Sequence, residues 1–199
     1  MPFSSAEFLY SIGPGGDFPA DGRVEWLIAG RSNVGKSSLI NALTNRRELA
    51  RVSSTPGRTR ALIFFLINDS FYLVDPPGYG YARLSKTERQ SFAKLLDRYL
   101  SADYNPRRAL LLADGRHAPM ESDLNAAHWL SSRGLEYRLV LTKIDEVKPR
   151  ERKARVQAMA DAFALSPEHI YCTSARTKEG VDELCRAITT QTAALARRK

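Results

Sequence analysis

Residues 30–37 combine two glycines, a lysine and a serine at a spacing that suits the binding of phosphate groups. The segment reads Gly30-Arg-Ser-Asn-Val-Gly-Lys-Ser37. Its glycines let the backbone wrap closely round phosphate oxygens, so that loop amides and the start of the following helix face the anion. Lys36 adds a positive charge beside the β and γ phosphates, and the Ser37 hydroxyl is an expected Mg²⁺ ligand because this hard ion takes oxygen donors. The segment predicts a nucleotide phosphate site with a magnesium ion.

Two further segments are expected to face the γ-phosphate. Asp75-Pro-Pro-Gly78 follows an apolar run, so the Asp75 carboxylate can reach Mg²⁺ through a water molecule and the Gly78 N–H can contact the γ-phosphate. Thr59 lies in a polar, Arg-rich stretch, 46–60, that is predicted to form a long loop. Its hydroxyl could close on Mg²⁺ when the triphosphate is present, with Thr55 as the alternative for this role. The loop is therefore predicted to act as a switch.

The segments Thr142-Lys-Ile-Asp145 and Thr173-Ser-Ala175 indicate which base is bound. A carboxylate at Asp145 can accept hydrogen bonds from N1–H and the 2-amino group of guanine, whereas adenine has an acceptor at N1 and no 2-amino group. The wrong base would leave a buried charge unpaired, so guanine is favoured. The stem of Lys143 is expected to pack over the base plane, and the Ser174-Ala175 backbone to donate to the guanine oxygen. The ordered segments together predict a guanine-nucleotide site.

The predicted nucleotide-binding residues lie in five segments of the chain. They are Gly30, Arg31, Ser32, Asn33, Val34, Gly35, Lys36, Ser37 and Ser38; Gly57, Arg58, Thr59, Arg60 and Ala61; Asp75, Pro76, Pro77 and Gly78; Thr142, Lys143, Ile144 and Asp145; and Thr173, Ser174 and Ala175. Ser37 and Thr59 are also the predicted metal ligands, and no catalytic residue is assigned.

The hydrophobic pattern places these segments at the ends of predicted strands. Two apolar runs separated by Asn68-Asp-Ser70 predict a hairpin, and Ser85-Lys-Thr-Glu88 is a capping box that opens a helix with an apolar stripe at 92, 95, 96 and 99. The alternation of strands and helices predicts an α/β protein with a mostly parallel six-stranded sheet, one antiparallel strand and helices on both faces. Strands are predicted near 24–29, 62–67, 71–74, 109–113, 138–141 and 169–172, and helices near 36–43, 121–131, 149–164 and 181–195.

Length and composition favour one soluble domain. With 199 residues and 43% hydrophobic content, the chain can bury one core, predicted at 23–199, while 1–22 is an N-terminal extension expected to be loosely held. The longest apolar stretch of the whole chain is far shorter than the roughly 20 residues of a membrane span. Because the first residues also lack the pattern of a secretory signal, a cytoplasmic protein without membrane contact is expected. Cys172 and Cys185 lack the close spacing of a metal or redox pair and are interpreted as reduced, packed thiols.

The charge balance is compatible with a polyanionic partner. The formal net charge is +8 and the isoelectric point about 9.7. RNA is the obvious candidate, although a solvated basic surface would give the same numbers. No RNA-recognition signature occurs in the sequence.

With all five segments placed, the chain resembles the EngB family of GTPases, in the TrmE-Era-EngA-EngB branch of the phosphate-loop translation-factor class. The resemblance extends from about Val24 to the C-terminal helix and is most specific in the phosphate loop, in Thr55-Pro-Gly-Arg-Thr59 and in Pro77-Gly-Tyr-Gly-Tyr-Ala82. It implies a Ras-like P-loop GTPase fold and a small bacterial monomer that binds GTP and GDP with Mg²⁺ and has weak intrinsic turnover. It also implies a link to assembly of the large ribosomal subunit or its rRNA, and to normal cell division and septation.

Several residues depart from the commonest pattern of such sites. Thr142 stands in place of the usual base-reading asparagine, which has a longer reach, and Pro76 precedes the Pro-Gly pair. Tyr79 occupies the position at which Ras-type enzymes carry the glutamine that orients the attacking water. A phenol cannot replace that amide, so hydrolysis is expected to be slow until a partner, a rearranged loop or a cation supplies the missing stabilisation. In related GTPases an asparagine placed like Asn33 helps to hold K⁺ beside the phosphates, so K⁺ is a candidate cofactor.

The residues leave three functions to compare. The first is an Mg²⁺-dependent GTPase in which GTP orders 46–60 and 76–83 and thereby changes the affinity for an RNA-rich partner. The second is a nucleotide-gated scaffold for division proteins with negligible hydrolysis, which the tyrosine at position 79 permits. The third is a small-molecule kinase, which shares the phosphate loop but does not need the 142–145 segment. The first is the leading hypothesis.

Overall fold

A seven-stranded sheet forms the centre of the computed structural model, which describes residues 3–50, 61–79, 86–102 and 104–197. The strands are β1 (Ala6–Ile12), β2 (Val24–Gly30), β3 (Leu62–Ile67), β4 (Phe71–Asp75), β5 (Arg107–Asp114), β6 (Tyr137–Thr142) and β7 (Ile170–Cys172). The helices are α1 (Lys36–Thr44), α2 (Lys86–Ser101), α3 (Glu121–Ser132), α4 (Pro149–Phe163) and α5 (Val181–Ala196), with 3₁₀ turns at Ile144–Glu146 and Pro167–His169. Within these ranges, no helix is both long enough and apolar enough to cross a membrane.

The sheet has the strand order β1-β3-β4-β2-β5-β6-β7. β4, β2, β5, β6 and β7 pair in parallel, whereas β3 is antiparallel to both β1 and β4. The predicted α/β class and the predicted hairpin at 62–74 are therefore confirmed. Because neighbouring strands of the parallel part share one direction, their carboxyl ends lie along one edge of the sheet.

The N-terminal segment adds the seventh strand. The prediction that 1–22 is loosely held is wrong for residues 6–12, which pair with β3 from Ala6 opposite Ile67 to Ile12 opposite Leu62. Phe3 is 5% exposed, and its ring packs against that of Phe71 in a T-shaped arrangement with a centroid distance of 5.3 Å. Without β1, the apolar strand β3 would be an unpaired edge, which folded proteins generally cover. The described part of the extension thus belongs to the folded domain.

Both faces of the sheet are covered. Residues of β2 alternate between them: Trp26 and Ile28 face α1 and α5, while Leu27 and Ala29 face α2, α3 and α4. Trp26 is fully buried, and its indole Nε1 donates to the Thr192 hydroxyl of α5 at 2.9 Å. Complete burial of a central parallel strand accounts for its mostly apolar sequence, and the one charged residue of β2, Glu25, is paired with Arg107 at 2.7 Å.

Some predicted elements lie wholly or partly outside the described residues. Of the predicted loop 46–60, residues 46–50 contain neither helix nor strand, and 51–60 are not among the described ranges. Ser85 of the predicted capping box also lies outside the described ranges. The helix that it was predicted to open, α2, begins at Lys86, and the predicted apolar stripe of this helix packs into the core. Cys172 and Cys185 are free thiols, and burial raises the pKa of Cys185 to about 11.

We expect Phe3→Ala to destabilise the whole domain, because it removes a buried ring that joins the N-terminal segment to β4. The free energy of unfolding should fall by about 3 kcal/mol, the usual cost of deleting a core aromatic side chain. Phe8→Ala is the matched control, since Phe8 lies on β1 but is 53% exposed, and it should cost about 1 kcal/mol or less. Urea denaturation of the full chain measures both. Equal costs for the two variants would contradict the assignment of this segment to the domain.

Candidate nucleotide-binding site

The phosphate loop, residues 30–37, leads from β2 directly into α1 and needs its two glycines for different reasons. Gly35 has φ of 110°, a left-handed conformation that side chains disfavour. A β-carbon on Gly30 would lie 2.8 Å from Val34 Cγ1 and 3.1 Å from Leu112 Cβ. The first glycine therefore allows close packing on β5, and the second allows the turn into the helix.

Asp75 and Lys36 bring opposite charges to the floor of the site. Burial lowers the pKa of the Lys36 ammonium, and the charge of Asp75 opposes that effect. Burial likewise raises the pKa of Asp75 to about 6, although Lys36 opposes it. Asp75 Oδ1 is buried and has no hydrogen-bond partner among the described residues. An orphaned carboxylate oxygen at the end of β4 fits a cation or a cation-bound water.

The predicted metal ligands carry hydroxyl oxygens, which are ligands that a hard ion such as Mg²⁺ takes. The described ranges contain no group of three or more His, Cys, Asp and Glu residues that could hold a metal. Ser37, one of the predicted ligands, directly follows Lys36 in the phosphate loop. Thr59, the other predicted metal ligand, lies outside the described residues.

The segment that follows Asp75 lies across the phosphate loop. A β-carbon on Gly78 would come within 2.8 Å of Lys36 Nζ and 2.9 Å of Ser32 N. The Tyr79 carbonyl accepts from the Ser32 N–H at 3.0 Å, and the Tyr79 N–H donates to the Gly30 carbonyl at 3.3 Å. Gly78 thus lies directly against the groups expected to bind phosphate, and only a glycine fits there.

Thr142 connects β6 to the phosphate loop. Its hydroxyl donates to the Val34 carbonyl at 2.7 Å and lies 3.2 Å from the Ala113 carbonyl. Because the hydroxyl carries one proton, this contact leaves it no donor for a base. The side chain therefore supports the loop, which is a role that its position in the motif did not indicate.

Lys143 extends this support through two hydrogen bonds. Its Nζ donates to the Asn33 carbonyl at 2.9 Å and to Asp114 Oδ2 at 2.8 Å. Asp114, the last residue of β5, was not identified from the sequence. Although burial opposes its ionisation, hydrogen bonds from Arg116 and Lys143 hold the pKa of Asp114 well below its usual range. An aspartate directly after the apolar run 109–113 was the available signal, because it marks the carboxyl end of a strand.

Asp145 is paired with a residue that sequence reasoning also missed. Arg176 donates to Asp145 Oδ2 through Nε at 2.8 Å and through Nη2 at 2.5 Å. Hydrogen bonds from Ser174 and Arg176 lower the pKa of Asp145, so the group is ionised. The Asp145 side chain is 8% exposed, whereas that of Arg176 is 75% exposed. An incoming ligand can therefore displace the arginine into water.

Segments 142–145 and 173–175 are joined to one another by a backbone hydrogen bond. The Ile144 N–H donates to the Thr173 carbonyl at 3.1 Å, which places segment 173–175 beside segment 142–145. The Ser174 N–H donates to the Glu179 carbonyl at 2.9 Å, so Ala175 remains as the candidate amide donor in the Ser174-Ala175 pair.

A cavity of about 800 Å³ runs between these segments and α1. Four of the predicted segments converge at the carboxyl edge of the sheet, namely 30–38, 75–78, 142–145 and 173–175. Ala61 lies directly before β3, whose residue Ile63 pairs with Asp75. Gly57, Arg58, Thr59 and Arg60 lie outside the described residues. Predicted residues that line the cavity are Gly35, Ser38, Thr142, Lys143, Asp145, Thr173 and Ala175, and further lining residues include Asn41, Asn45, Arg46, Arg47, Arg176 and Lys178.

Comparisons with known proteins agree with this arrangement. A family model described as "50S ribosome-binding GTPase" matches residues 25–143. The chain is 44% identical over 185 residues to the probable GTP-binding protein EngB of Clostridium beijerinckii, covering 92% of this chain and 93% of the relative. A crystal structure of a probable GTP-binding protein engB has a TM-score of 0.70 at 23% identity, covering 88% of this chain and all of the other. The structure of Aquifex aeolicus Era bound to GDP and AlF₄⁻ has a TM-score of 0.67 at 21% identity, and the match covers 83% of this chain and 56% of the Era chain. These structures share the predicted P-loop GTPase fold.

We expect Asp75→Asn to raise the free energy of unfolding when nucleotide and Mg²⁺ are absent. The pKa of Asp75 is about 6 in the folded protein, against an ordinary value of 3.8. The folded protein therefore binds this proton more tightly and loses stability as the pH rises between those values. The charge costs at most about 3 kcal/mol above that range, because one pKa unit corresponds to about 1.4 kcal/mol. The neutral amide avoids this cost.

Urea denaturation with a chelator, at about pH 7.5 and about pH 5, measures this effect. The gain of Asp75→Asn over the wild type should be larger at the higher pH. Asp69→Asn is the control, since the Asp69 side chain is 84% exposed in the β3–β4 turn. The same gain at both pH values would contradict the assignment of a raised pKa to Asp75.

Proposed function

Because the chain belongs to the EngB family of GTP-binding proteins, we propose that the cavity at the carboxyl edge of its sheet binds GTP and GDP through segments 30–38, 57–61, 75–78, 142–145 and 173–175. One observation carries the proposal: Lys143 contacts the phosphate loop while its neighbour Asp145 lines the same cavity. A single nucleotide can therefore reach both a phosphate cradle and an ionised carboxylate. As a member of this family, the protein is a GTPase.

Guanine selection is assigned to Asp145. Its carboxylate accepts from N1–H and the 2-amino group of guanine after Arg176 has moved aside, so one set of donors replaces another and the buried charge stays paired. The stem of Lys143 is held by Asn33 and Asp114 in a position to cover the base. Adenine has an acceptor at N1 and no 2-amino group, so its binding would leave this carboxylate unpaired.

We assign the magnesium site to Ser37, to Asp75 through a water, and to Thr59. The unpartnered Oδ1 of Asp75 supports this assignment. When bound, Mg²⁺ neutralises charge on the β and γ phosphates. Lys36 adds a second positive charge on the same groups, while the loop amides orient them.

Intrinsic hydrolysis is proposed to be slow. Tyr79 stands where Ras-type enzymes carry the glutamine that orients the attacking water, and a phenol cannot replace that amide. K⁺ held with the help of Asn33 is the proposed substitute for the missing positive charge. Turnover that is equal in matched Na⁺ and K⁺ buffers would exclude this role for K⁺.

We further propose that the partner is the large ribosomal subunit or its rRNA, that the protein acts there as a cytoplasmic monomer, and that division and septation depend on this step. The net charge of +8 supports an RNA-rich partner. The description of the matching family model as ribosome-binding supports the same choice. A nucleotide-gated scaffold for division proteins remains the alternative, since a tyrosine at position 79 is compatible with very weak hydrolysis.

Asp145→Asn should exchange guanine for xanthine selectivity. The amide can donate to the 2-oxo group of xanthine but can no longer accept two donors from guanine, so we expect the affinity for GDP to fall about tenfold or more and that for xanthosine diphosphate to rise. Equilibrium titration with both nucleotides measures the change. Asp69→Asn, at the far edge of the sheet, should alter neither affinity. If Asp145→Asn keeps full affinity for GDP, Asp145 does not read the base.

Sedimentation with large ribosomal subunits tests the proposed partner. The protein should co-sediment more strongly with a non-hydrolysable GTP analogue than with GDP, and added salt should weaken the binding because phosphate contacts release counterions. The same assay without nucleotide, and with small subunits, provides the controls. Binding that is absent, or equal with all nucleotides, would contradict the ribosomal proposal and favour the scaffold.

A further inference from the structure

A buried carboxylate of α3 joins two parts of the site that lie far apart in the sequence. Asp123 is 2% exposed, and its Oδ1 accepts hydrogen bonds from the Tyr79 hydroxyl at 2.9 Å and from Arg31 Nε at 3.0 Å. Arg31 belongs to the phosphate loop, and Tyr79 directly follows Gly78. One carboxylate oxygen thus holds both segments against α3.

Stability alone is a weak explanation for this buried charge. Burial raises the pKa of Asp123, and the hydrogen bonds from Tyr79 and Arg31 only partly offset that effect. Buried ion pairs often stabilise a fold no better than apolar residues of the same volume. A negative charge in the first turn of α3 is favourable, but Glu121 already supplies one. The hydrogen bonds of Asp123 instead point to a role in positioning Tyr79 and Arg31.

The hydrogen bond to Asp123 fixes the chain immediately after Gly78. Tyr79 is held to the phosphate loop through its backbone, at Ser32 and Gly30, and to α3 through its hydroxyl. Between these contacts, Gly78 lies so close to Lys36 that a β-carbon added to Gly78 would come within 2.8 Å of Lys36 Nζ. One side of the Lys36 ammonium is thereby covered by the protein's own backbone.

We propose that Asp123 is a positioning residue that latches Tyr79, and with it Gly78, onto the phosphate loop, so that the site favours GDP over GTP. This inference rests on the nucleotide site proposed above. A diphosphate leaves Gly78 where it is, whereas a γ-phosphate must displace Gly78 from Lys36 and break the Tyr79–Asp123 hydrogen bond. Arg31 remains on Asp123 when Tyr79 leaves, so the buried charge keeps a partner and the latch can reopen.

The tyrosine can be tested without disturbing its packing. Its ring lines a groove of about 590 Å³ between α2 and α3, together with Phe92, Leu96 and Trp129. Tyr79→Phe retains these apolar contacts and removes only the hydroxyl. Asp123→Asn retains the shape of the carboxylate but weakens the hydrogen bond, because charged acceptors bind more strongly than neutral ones.

Isothermal titration of the nucleotide-free full chain with GDP and with a non-hydrolysable GTP analogue, at constant Mg²⁺, gives the ratio of the two dissociation constants. Tyr79→Phe should lower the ratio of analogue Kd to GDP Kd about tenfold or more, the effect of one hydrogen bond to a charged group. The change should come from tighter analogue binding at unchanged GDP affinity. Asp123→Asn should shift the ratio less and in the same direction, and the double variant should match Tyr79→Phe alone.

Tyr72→Phe is the matched control, because the Tyr72 hydroxyl makes a similar hydrogen bond to Asp21 at 2.7 Å, at the amino end of β2. It should leave the ratio unchanged. An unchanged ratio in Tyr79→Phe, or equal weakening of both nucleotides, would overturn the latch. Additive effects in the double variant would overturn the role of Asp123. Failure of the wild type to bind either nucleotide would instead refute the nucleotide site, and the latch with it.

Discussion

The phosphate loop is held in shape by donors from outside it that satisfy two of its carbonyl groups. The Val34 carbonyl accepts from Thr142 and the Asn33 carbonyl from Lys143, both at the carboxyl end of β6. Thr142 reaches the loop because β6 pairs with β5, which in turn pairs with β2. The shape of the cradle is therefore set by the register of the parallel sheet. The same contacts bring segment 142–145 next to the phosphate loop.

Two aspartates at equivalent strand ends show how the site divides its charges. Asp75 ends β4 and Asp114 ends β5, yet the pKa of the first is raised and that of the second lowered. Donors explain the difference, since Asp114 receives hydrogen bonds from Arg116 and Lys143 whereas Asp75 Oδ1 has no partner among the described residues. Asp114 is therefore committed to holding Lys143 in place. Asp75 keeps its charge available to a ligand, at a cost to the stability of the fold.

The sequence could predict the features that depend on local spacing. The apolar runs and turn residues gave the positions of β2 to β7, and the segments at their carboxyl ends converge because parallel strands share a direction. β1 was missed because Ala6–Ile12 shows neither strict alternation nor a continuous apolar run, and only its contact with β3 orders it. Asp123 and Arg176 were missed because each meets its partner through the fold rather than through sequence spacing. Thr142 was read as a base contact, since nothing local revealed that its hydroxyl is used by Val34.

The placement of the two tryptophans gives the chain two optical reporters with different surroundings. Trp26 is fully buried under α5, on the face of the sheet opposite to Tyr79 and Trp129. Trp129 lines the groove beside Tyr79 and stacks near the Arg133 guanidinium at 5.7 Å. Movement of the 75–79 segment changes the polarity around one indole and leaves the other untouched. Intrinsic fluorescence can therefore follow this segment in the native protein, with Trp26 as a constant internal background.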